Sequence, residues 1–278
     1  MTETRPTGGA EPPAVVFEHV HFAFDDQPVL VDVSFVVPQA SMCIMLGASG
    51  AGKSVILKLI LGLLRPDSGA IWVHGERVDQ LSETELMRIR TDIGMSFQET
   101  ALFDSLTVNE NVGYRLYEET NQPLDQVRAR VTEVLGFVGM ADYLDRRPSE
   151  LSGGQRRRVA IARAMAARPG LLLFDDPTTG LDPITAASVN DEVVKLRDLE
   201  KVTSVLVTHQ IRDAHYVAFH RASMNGGELT ITPSDTEEYA RFLVLHEGRI
   251  FFEGTMRELL ASHDAFLKEF LFMTLPPW

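Results

Sequence analysis

Two short stretches of this 278-residue chain hold side chains suited to handling phosphate. Gly47, Ala48, Ser49, Gly50, Ala51, Gly52, Lys53 and Ser54 read GASGAGKS, which fits the spacing G-x-x-x-x-G-K-[ST]. Glycines at that spacing let backbone N–H groups wrap a polyphosphate, and the N-terminus of a following helix adds its dipole. Lys53 would neutralise the β- and γ-phosphates, and the Ser54 hydroxyl would ligate Mg²⁺. The second stretch, Leu171 to Asp176, reads LLLFDD: an apolar strand that ends in two carboxylates. Asp175 is placed to hold Mg²⁺ through water, and Asp176 to serve as general base.

The elements around these stretches must deliver them to one place. Met42 to Leu46 is a fully apolar run, read as a short buried strand that feeds the glycine loop. A helix is expected from about Gly52, with Ile56, Leu57, Ile60 and Leu61 on one face, ending near Pro66. Upstream, Ala14 to Val37 reads as alternating strands around a turn at Asp25 to Pro28. Ser82 and Glu85 form a capping box for a short helix leading into a strand at Ile93 to Phe97. Leu124, Val127, Val131, Val134, Leu135 and Val138 recur at helical spacing within Asn109 to Leu144, which predicts a helical insert. Beyond it come the strand Leu171 to Phe174, a helix over about Ala186 to Leu199 and a strand over Val202 to Val207. Parallel strands alternating with helices define an α/β core. Met224 to Glu238 is a polar excursion, read as a loop or hairpin. Strands return over Phe242 to Phe252. A final helix groups Phe266, Leu267, Phe270 and Leu271 on one side, ahead of a tail with Met273, Leu275 and Trp278.

Bulk properties narrow the function. The formal charge of -13 argues against a nucleic-acid partner, which needs a basic face. The single cysteine, Cys43, excludes a disulfide framework or a cysteine zinc site; within its apolar run it is expected to pack in a reducing compartment. The most apolar stretch, Val55 to Leu64, is too short to span a bilayer and contains Lys58. Met1 to Pro13 is polar with Gly and Pro, and is expected to be a disordered segment rather than a signal peptide.

Residues Leu151 to Gln155 read LSGGQ immediately before an arginine-rich helix. With the glycine loop, the LLLFDD strand, Gln98, TTGLDP and VLVTHQ in order, the chain resembles the ATP-binding-cassette (ABC) ATPases over nearly its whole length. The resemblance implies a P-loop NTPase of the ABC type: a RecA-like parallel-sheet core with an N-terminal antiparallel β subdomain and an α-helical insert. It implies an ATPase core over residues 14–105 and 150–255, a helical subdomain over 106–149, the insertion 224–238 and a C-terminal helix and tail over 256–278. By the same likeness Phe24 stacks on the adenine of ATP, and Val55 extends the nucleotide-contacting loop at a position where many cassettes have Thr. Gln98 reaches Mg²⁺ and the attacking water, and His209 contacts the γ-phosphate. Ser152, Gly153, Gly154 and Gln155 clamp the ATP held by another subunit, so the working unit is a homodimer. Leu181 and Asp182 link the two sites. Cassettes usually carry glutamate where this chain has Asp176, one methylene and roughly 1.5 Å shorter. That predicts slow hydrolysis, or a loop that sits closer to the nucleotide.

Among cassette proteins, chromosome-organising ATPases need a long coiled coil that has no room here, and excision-repair cassettes need cysteine zinc modules. Translation-associated cassettes carry two copies per chain. The transporter ATPase remains, expected at the cytoplasmic face of a bacterial inner membrane under integral permease subunits. By the family likeness Glu99 to Ser105 and the helical insert that follows are the expected dock, with Ala101, Leu102 and Phe103 either contacting the permease or packing inward. GASGAGKSVILKLILGLLRPDSG and ETALFDSLTVNENV look like the ATPases of Mla/Mce phospholipid transport, which implies an Mce-domain lipid-binding partner and a small accessory subunit. The alternative is the ATPase of a polar amino-acid or other small-solute importer.

Overall fold

The computed structural model describes residues 11–234 and 239–274. Six strands form the central sheet: β3 (Met42–Leu46), β6 (Ile93–Ser96), β7 (Leu171–Asp175), β8 (Thr203–Thr208), β11 (Arg241–His246) and β12 (Arg249–Gly254). Their order is β12-β11-β3-β8-β7-β6, parallel except for the edge hairpin β11–β12. A second, antiparallel sheet orders β2 (Gln27–Val37), β1 (Val15–Phe24), β4 (Ser68–Val73) and β5 (Glu76–Arg77).

The central strands are apolar on both faces because both are covered. Along β3, Met42, Ile44 and Leu46 point into one core with the helices; Cys43 and Met45 point into the other, beneath the antiparallel sheet. Leu172 and Phe174 of β7 divide from Leu171 and Leu173 in the same way. This period of two fixes the register, since a one-residue slip would exchange the faces. Cys43 is buried as expected, and burial pushes its thiol up to about 12.

The glycine loop leads into α1 (Lys53–Ile60), which stops well before Pro66. Gly62 adopts φ 63. Its N–H reaches the Leu59 carbonyl and the Leu63 N–H reaches Lys58, the pattern of a Schellman terminus. Glycine there ends the helix, so Leu61 to Leu64 turn rather than continue it. Helix α2 (Glu83–Thr91) starts on the Ser82–Glu85 capping box.

The expected helical insert contains α3 (Val108–Glu119) and α4 (Leu124–Phe137), whose Val127, Val131, Val134 and Leu135 are buried. Helix α5 (Gly153–Met165) returns the chain to the sheet. Helix α6 (Pro183–Lys195) begins three residues before the expected Ala186. Asp182 caps it by accepting from the Ile184 and Thr185 N–H groups, and Pro183 fits the first turn. A π-helical turn, Leu196–Glu200, ends it.

After α7 (Ile211–Phe219), the polar excursion is a hairpin of β9 (His220–Asn225) and β10 (Glu228–Pro233) turning at Gly226 and Gly227. It starts four residues before the expected Met224, because His220 to Ser223 already pair. Helices α8 (Met256–Ala261) and α9 (Ala265–Thr274) close the described chain.

One expectation on the N-terminus changes. Pro12 and Pro13 are half-buried, and the Gln39 amide donates to the Pro12 carbonyl at 3.2 Å, so residues 11–13 pack rather than extend a disordered segment. On α9, Leu267, Phe270 and Leu271 are buried in this chain's own core. Phe266 stacks on His246, with ring centroids 3.6 Å apart. That apolar face packs within the domain. Residues 1–10, 235–238 and the tail from Leu275 to Trp278 lie outside the described residues, as does the Met273 side chain.

Candidate active site

The loop between β3 and α1 meets three requirements that glycine alone satisfies. Gly50 and Gly52 have φ of 80 and 100, a left-handed backbone that strains other residues. A Cβ on Gly47 would sit 2.6 Å from the Leu245 carbonyl oxygen. One on Gly52 would sit 2.9 Å from Leu30 Cδ2. The loop is thus fitted tightly against β2 and β11.

Lys53 lies beneath it, 6% exposed, with Nζ donating to the Gly47 and Ala48 carbonyls at 2.9 Å each. Burial pulls this ammonium down, while Asp176 and Asp175 favour its charge. The Ser54 hydroxyl donates to Asp175 Oδ1 at 2.8 Å, so two side chains separated by 121 positions meet. Burial pushes the Asp175 carboxyl up, and the Ser54 hydrogen bond opposes that shift. Ser54, Asp175 and the nearby Gln98 form an oxygen donor set. Mg²⁺ binds through one or two carboxylates plus phosphate and water, so these residues fit it. Among the described residues no cluster of three His, Cys, Asp or Glu could hold a metal by protein alone.

A cleft of about 540 Å³ opens over this floor. Phe24, half-exposed at the end of β1, lines it together with Ser49, Gly50 and Val55 of the loop region. Gln98, Asp176 and His209 line it as well. Asp176 Oδ1 accepts from the His209 N–H at 3.2 Å and lies 2.9 Å from His209 Nδ1. The Asp176 backbone is left-handed, φ 44, a conformation that aspartate tolerates better than most residues. Its N–H donates to the Val207 carbonyl, which pins the turn to β8.

Ser152, Gly153, Gly154 and Gln155 do not line the cleft. They open α5, where the Ser152 N–H donates to Gln155 Oε1 and the Gln155 N–H to Ser152 Oγ. Gln155 is thereby a capping residue. Gly154 admits Thr185 so closely that a Cβ would lie 2.2 Å from its Cγ2. A Cβ on Gly153 would lie 3.3 Å from Leu181 Cδ2. The LSGGQ and TTGLDP segments are therefore packed together. Ala101, Leu102 and Phe103 divide: Leu102 packs on the core, while Phe103 is 45% exposed against Tyr114.

Sequence reasoning passed over Val29 and Thr179, which also line the cleft. The Thr179 Oγ1 is buried without a hydrogen-bond partner among the described residues. Its place three positions after Asp176 was the available signal. The arginines of α5 were passed over as well: each reaches a backbone carbonyl, Arg156 that of Leu151, Arg158 that of Val138, Arg163 that of Ala101.

A mixed sheet with parallel core strands, a glycine loop at the head of α1 and carboxylates at the end of β7 define a P-loop NTPase of the ABC cassette type. The chain belongs to the ABC transporter family, whose profile it matches over residues 30–179. It is 41% identical over 198 residues to the methionine import ATP-binding protein MetN of Carboxydothermus hydrogenoformans, spanning 71% of this chain and 58% of that relative's length. It is 36% identical over 268 residues to the protein TRIGALACTOSYLDIACYLGLYCEROL 3, chloroplastic, of Arabidopsis thaliana, covering 90% of this chain and 71% of that one. Among solved structures it resembles a dimeric post-hydrolysis state of the ATP-binding cassette MJ0796 bound to ADP and Pi. The TM-score is 0.72 at 29% identity, over 87% of this chain and 99% of that one. Methionine importers recur among these relatives, which favours the small-solute importer expected as the alternative over the Mla/Mce likeness.

Proposed function

We propose that this chain binds and hydrolyses ATP as a peripheral subunit beneath a membrane permease, working as a homodimer. The observation that carries the reading is a division of labour. One cleft gathers Lys53, Ser54, Gln98, Asp176 and His209, while Ser152 stands exposed at the head of α5, outside it. A clamp held away from its own site suits a partner subunit's ATP. The dimeric MJ0796 relative supports that arrangement. No helix among the described residues is long and apolar enough to cross a membrane, so contact with one falls to the permease.

In this reading ATP lies with its base on Phe24 and its phosphates in the loop. Lys53 turns its ammonium from the Gly47 and Ala48 carbonyls to the β- and γ-phosphates. Ser54, Asp175 and Gln98 would hold Mg²⁺, which supplies neutralisation of phosphate charge. Asp176 has Oδ1 engaged by His209 and offers Oδ2 to the attacking water. As the water oxygen bonds to the γ-phosphorus and the bond to ADP breaks, the water's proton passes to that carboxylate.

Mixing two inactive variants tests the shared sites. Lys53→Ala removes a chain's own loop but leaves its clamp; Ser152→Arg does the reverse. Mixed dimers contain one intact composite site and should regain activity, whereas each variant alone stays silent. No recovery on mixing would mean that the sites are not shared.

For the cargo, the MetN relatives favour import of a small solute such as methionine. The lipid reading keeps one observation on its side: a relative named for trigalactosyldiacylglycerol matches over 268 residues, although MetN relatives match over as many as 246. An Mce-domain partner and accessory subunit belong to that second reading alone. Labelled-methionine uptake, compared with lipid transfer, in cells with and without this chain separates the two.

A further inference from the structure

One guanidinium joins three parts of the site that the sequence keeps far apart. Arg157 lies on α5, two residues past the LSGGQ segment. Its Nη1 donates to the Phe97 carbonyl at 3.2 Å, and its Nη2 to the Thr179 carbonyl at 3.1 Å. Phe97 immediately precedes Gln98. Thr179 belongs to the turn after Asp176, where its N–H donates to the Asp176 carbonyl at 3.2 Å. Two loops that each carry a site side chain are thus held at a separation set by a rigid planar fork.

The loop with Gln98 needs such holding. Thr100 and Ala101 both have left-handed backbones, with φ of 62 and 49, and neither is glycine. Such strain persists only where the surroundings over-determine it. Arg157 takes the near end of this loop at Phe97, and Arg163, on the same helix, takes the far end at the Ala101 carbonyl, 2.7 Å away. Phe103 lies against the Arg163 guanidinium. Burial and Arg156 pull the Arg157 guanidinium down, while Asp176 and Glu99 favour its charge.

We propose that Arg157 is a positioning residue for ATP hydrolysis, which ties the helix bearing the signature segment to Gln98 and to the Asp176 turn of the same subunit. This rests on the ATPase reading given above. Because α5 carries Ser152 at its head, movement of the clamp on the partner's ATP is transmitted to this subunit's own hydrolytic loops. Arg157 therefore couples the two sites of the dimer, and touches neither ATP nor water itself.

The test uses the full chain with Arg157→Gln and Arg157→Lys. Phosphate release at saturating MgATP, its Hill coefficient and the Kd for a fluorescent ATP analogue are measured. Arg157→Gln should lower kcat at least tenfold and bring the Hill coefficient toward one, with Kd within twofold. Arg157→Lys should fall nearly as far, since one ammonium cannot hold both carbonyls in the fork geometry. Adding Arg157→Gln to Gln98→Ala should slow that variant by less than Arg157→Gln slows the wild type, because part of the effect runs through Gln98. The proposal is overturned if Arg157→Gln hydrolyses within threefold of wild type, if Arg157→Lys restores the full rate, or if the two losses multiply independently. If Arg157→Gln does not fold, Arg157→Lys decides alone. A wild-type chain without ATPase activity would instead sink the reading on which this rests.

Discussion

Replacing Asp176 by Asn isolates the chemistry of one oxygen. The amide has the same size, tolerates the left-handed backbone at φ 44, and keeps an oxygen for the two His209 bonds at 3.2 and 2.9 Å. What changes is the second oxygen, which becomes an NH₂ donor and can neither take a proton nor accept a hydrogen bond from water. Losing a charged acceptor alone is worth about 1.5–3 kcal/mol, roughly a 10- to 150-fold fall in rate. Losing a general base adds to this, up to about 10⁴-fold in all. The expected fall in kcat is therefore about 10²–10⁴-fold. Asp176 is buried and its charge favours the buried Lys53 ammonium, so losing about 1 kcal/mol there should also lower the Tm by about 2–4 °C. Phosphate release under saturating MgATP measures the first, differential scanning fluorimetry the second, and a fluorescent ATP analogue shows that binding survives. Hydrolysis by Asp176→Asn within threefold of wild type refutes the reasoning. Asp176→Glu sharpens the comparison. It moves the carboxylate by roughly 1.5 Å, and a misplacement of about 1 Å can cost ~100-fold. A site shaped around aspartate should lose rate with the longer acid even though the charge is kept.

Gly52→Ala places a methyl 2.9 Å from Leu30 Cδ2 at φ 100, and should abolish binding of the fluorescent nucleotide while destabilising the chain by about 1–3 kcal/mol in urea unfolding. Cys43, with its thiol pushed from 9.0 to about 12, should have about a thousandfold less thiolate than an unburied thiol near pH 8. Iodoacetamide should leave it unmodified in the native chain over hours and label it within minutes in urea; rapid native labelling would contradict the burial.

The sequence made legible whatever was contiguous. GASGAGKS, LLLFDD and LSGGQ are each one unbroken run of the chain, and the alternating faces of β3 and β7 follow from apolar runs too short for helices. The end of α1 was misplaced because Leu61, Leu63 and Leu64 continue an apolar pattern, and only the positive φ of Gly62 breaks it. Asp182 and Pro183, a cap and a first-turn proline, mark the start of α6 within the sequence itself. The fate of α9 depended on the cavity it fills, which no local pattern encodes. Arg157 left no trace at all: its partners are main-chain oxygens from two distant loops, and an oxygen of that kind is present at every position.

That last property has a consequence for how such a chain can diversify. The receivers of the α5 arginines include the carbonyls of Phe97, Thr179, Ala101, Val138 and Leu151. None of these five supplies a side chain to the tie, so drift at any of them leaves the acceptor in place. The segment around Glu99 to Ser105 can then change residue by residue, with the scaffold beneath it still gripping its backbone. The constraint falls on the donors, and the loops are left free to adapt.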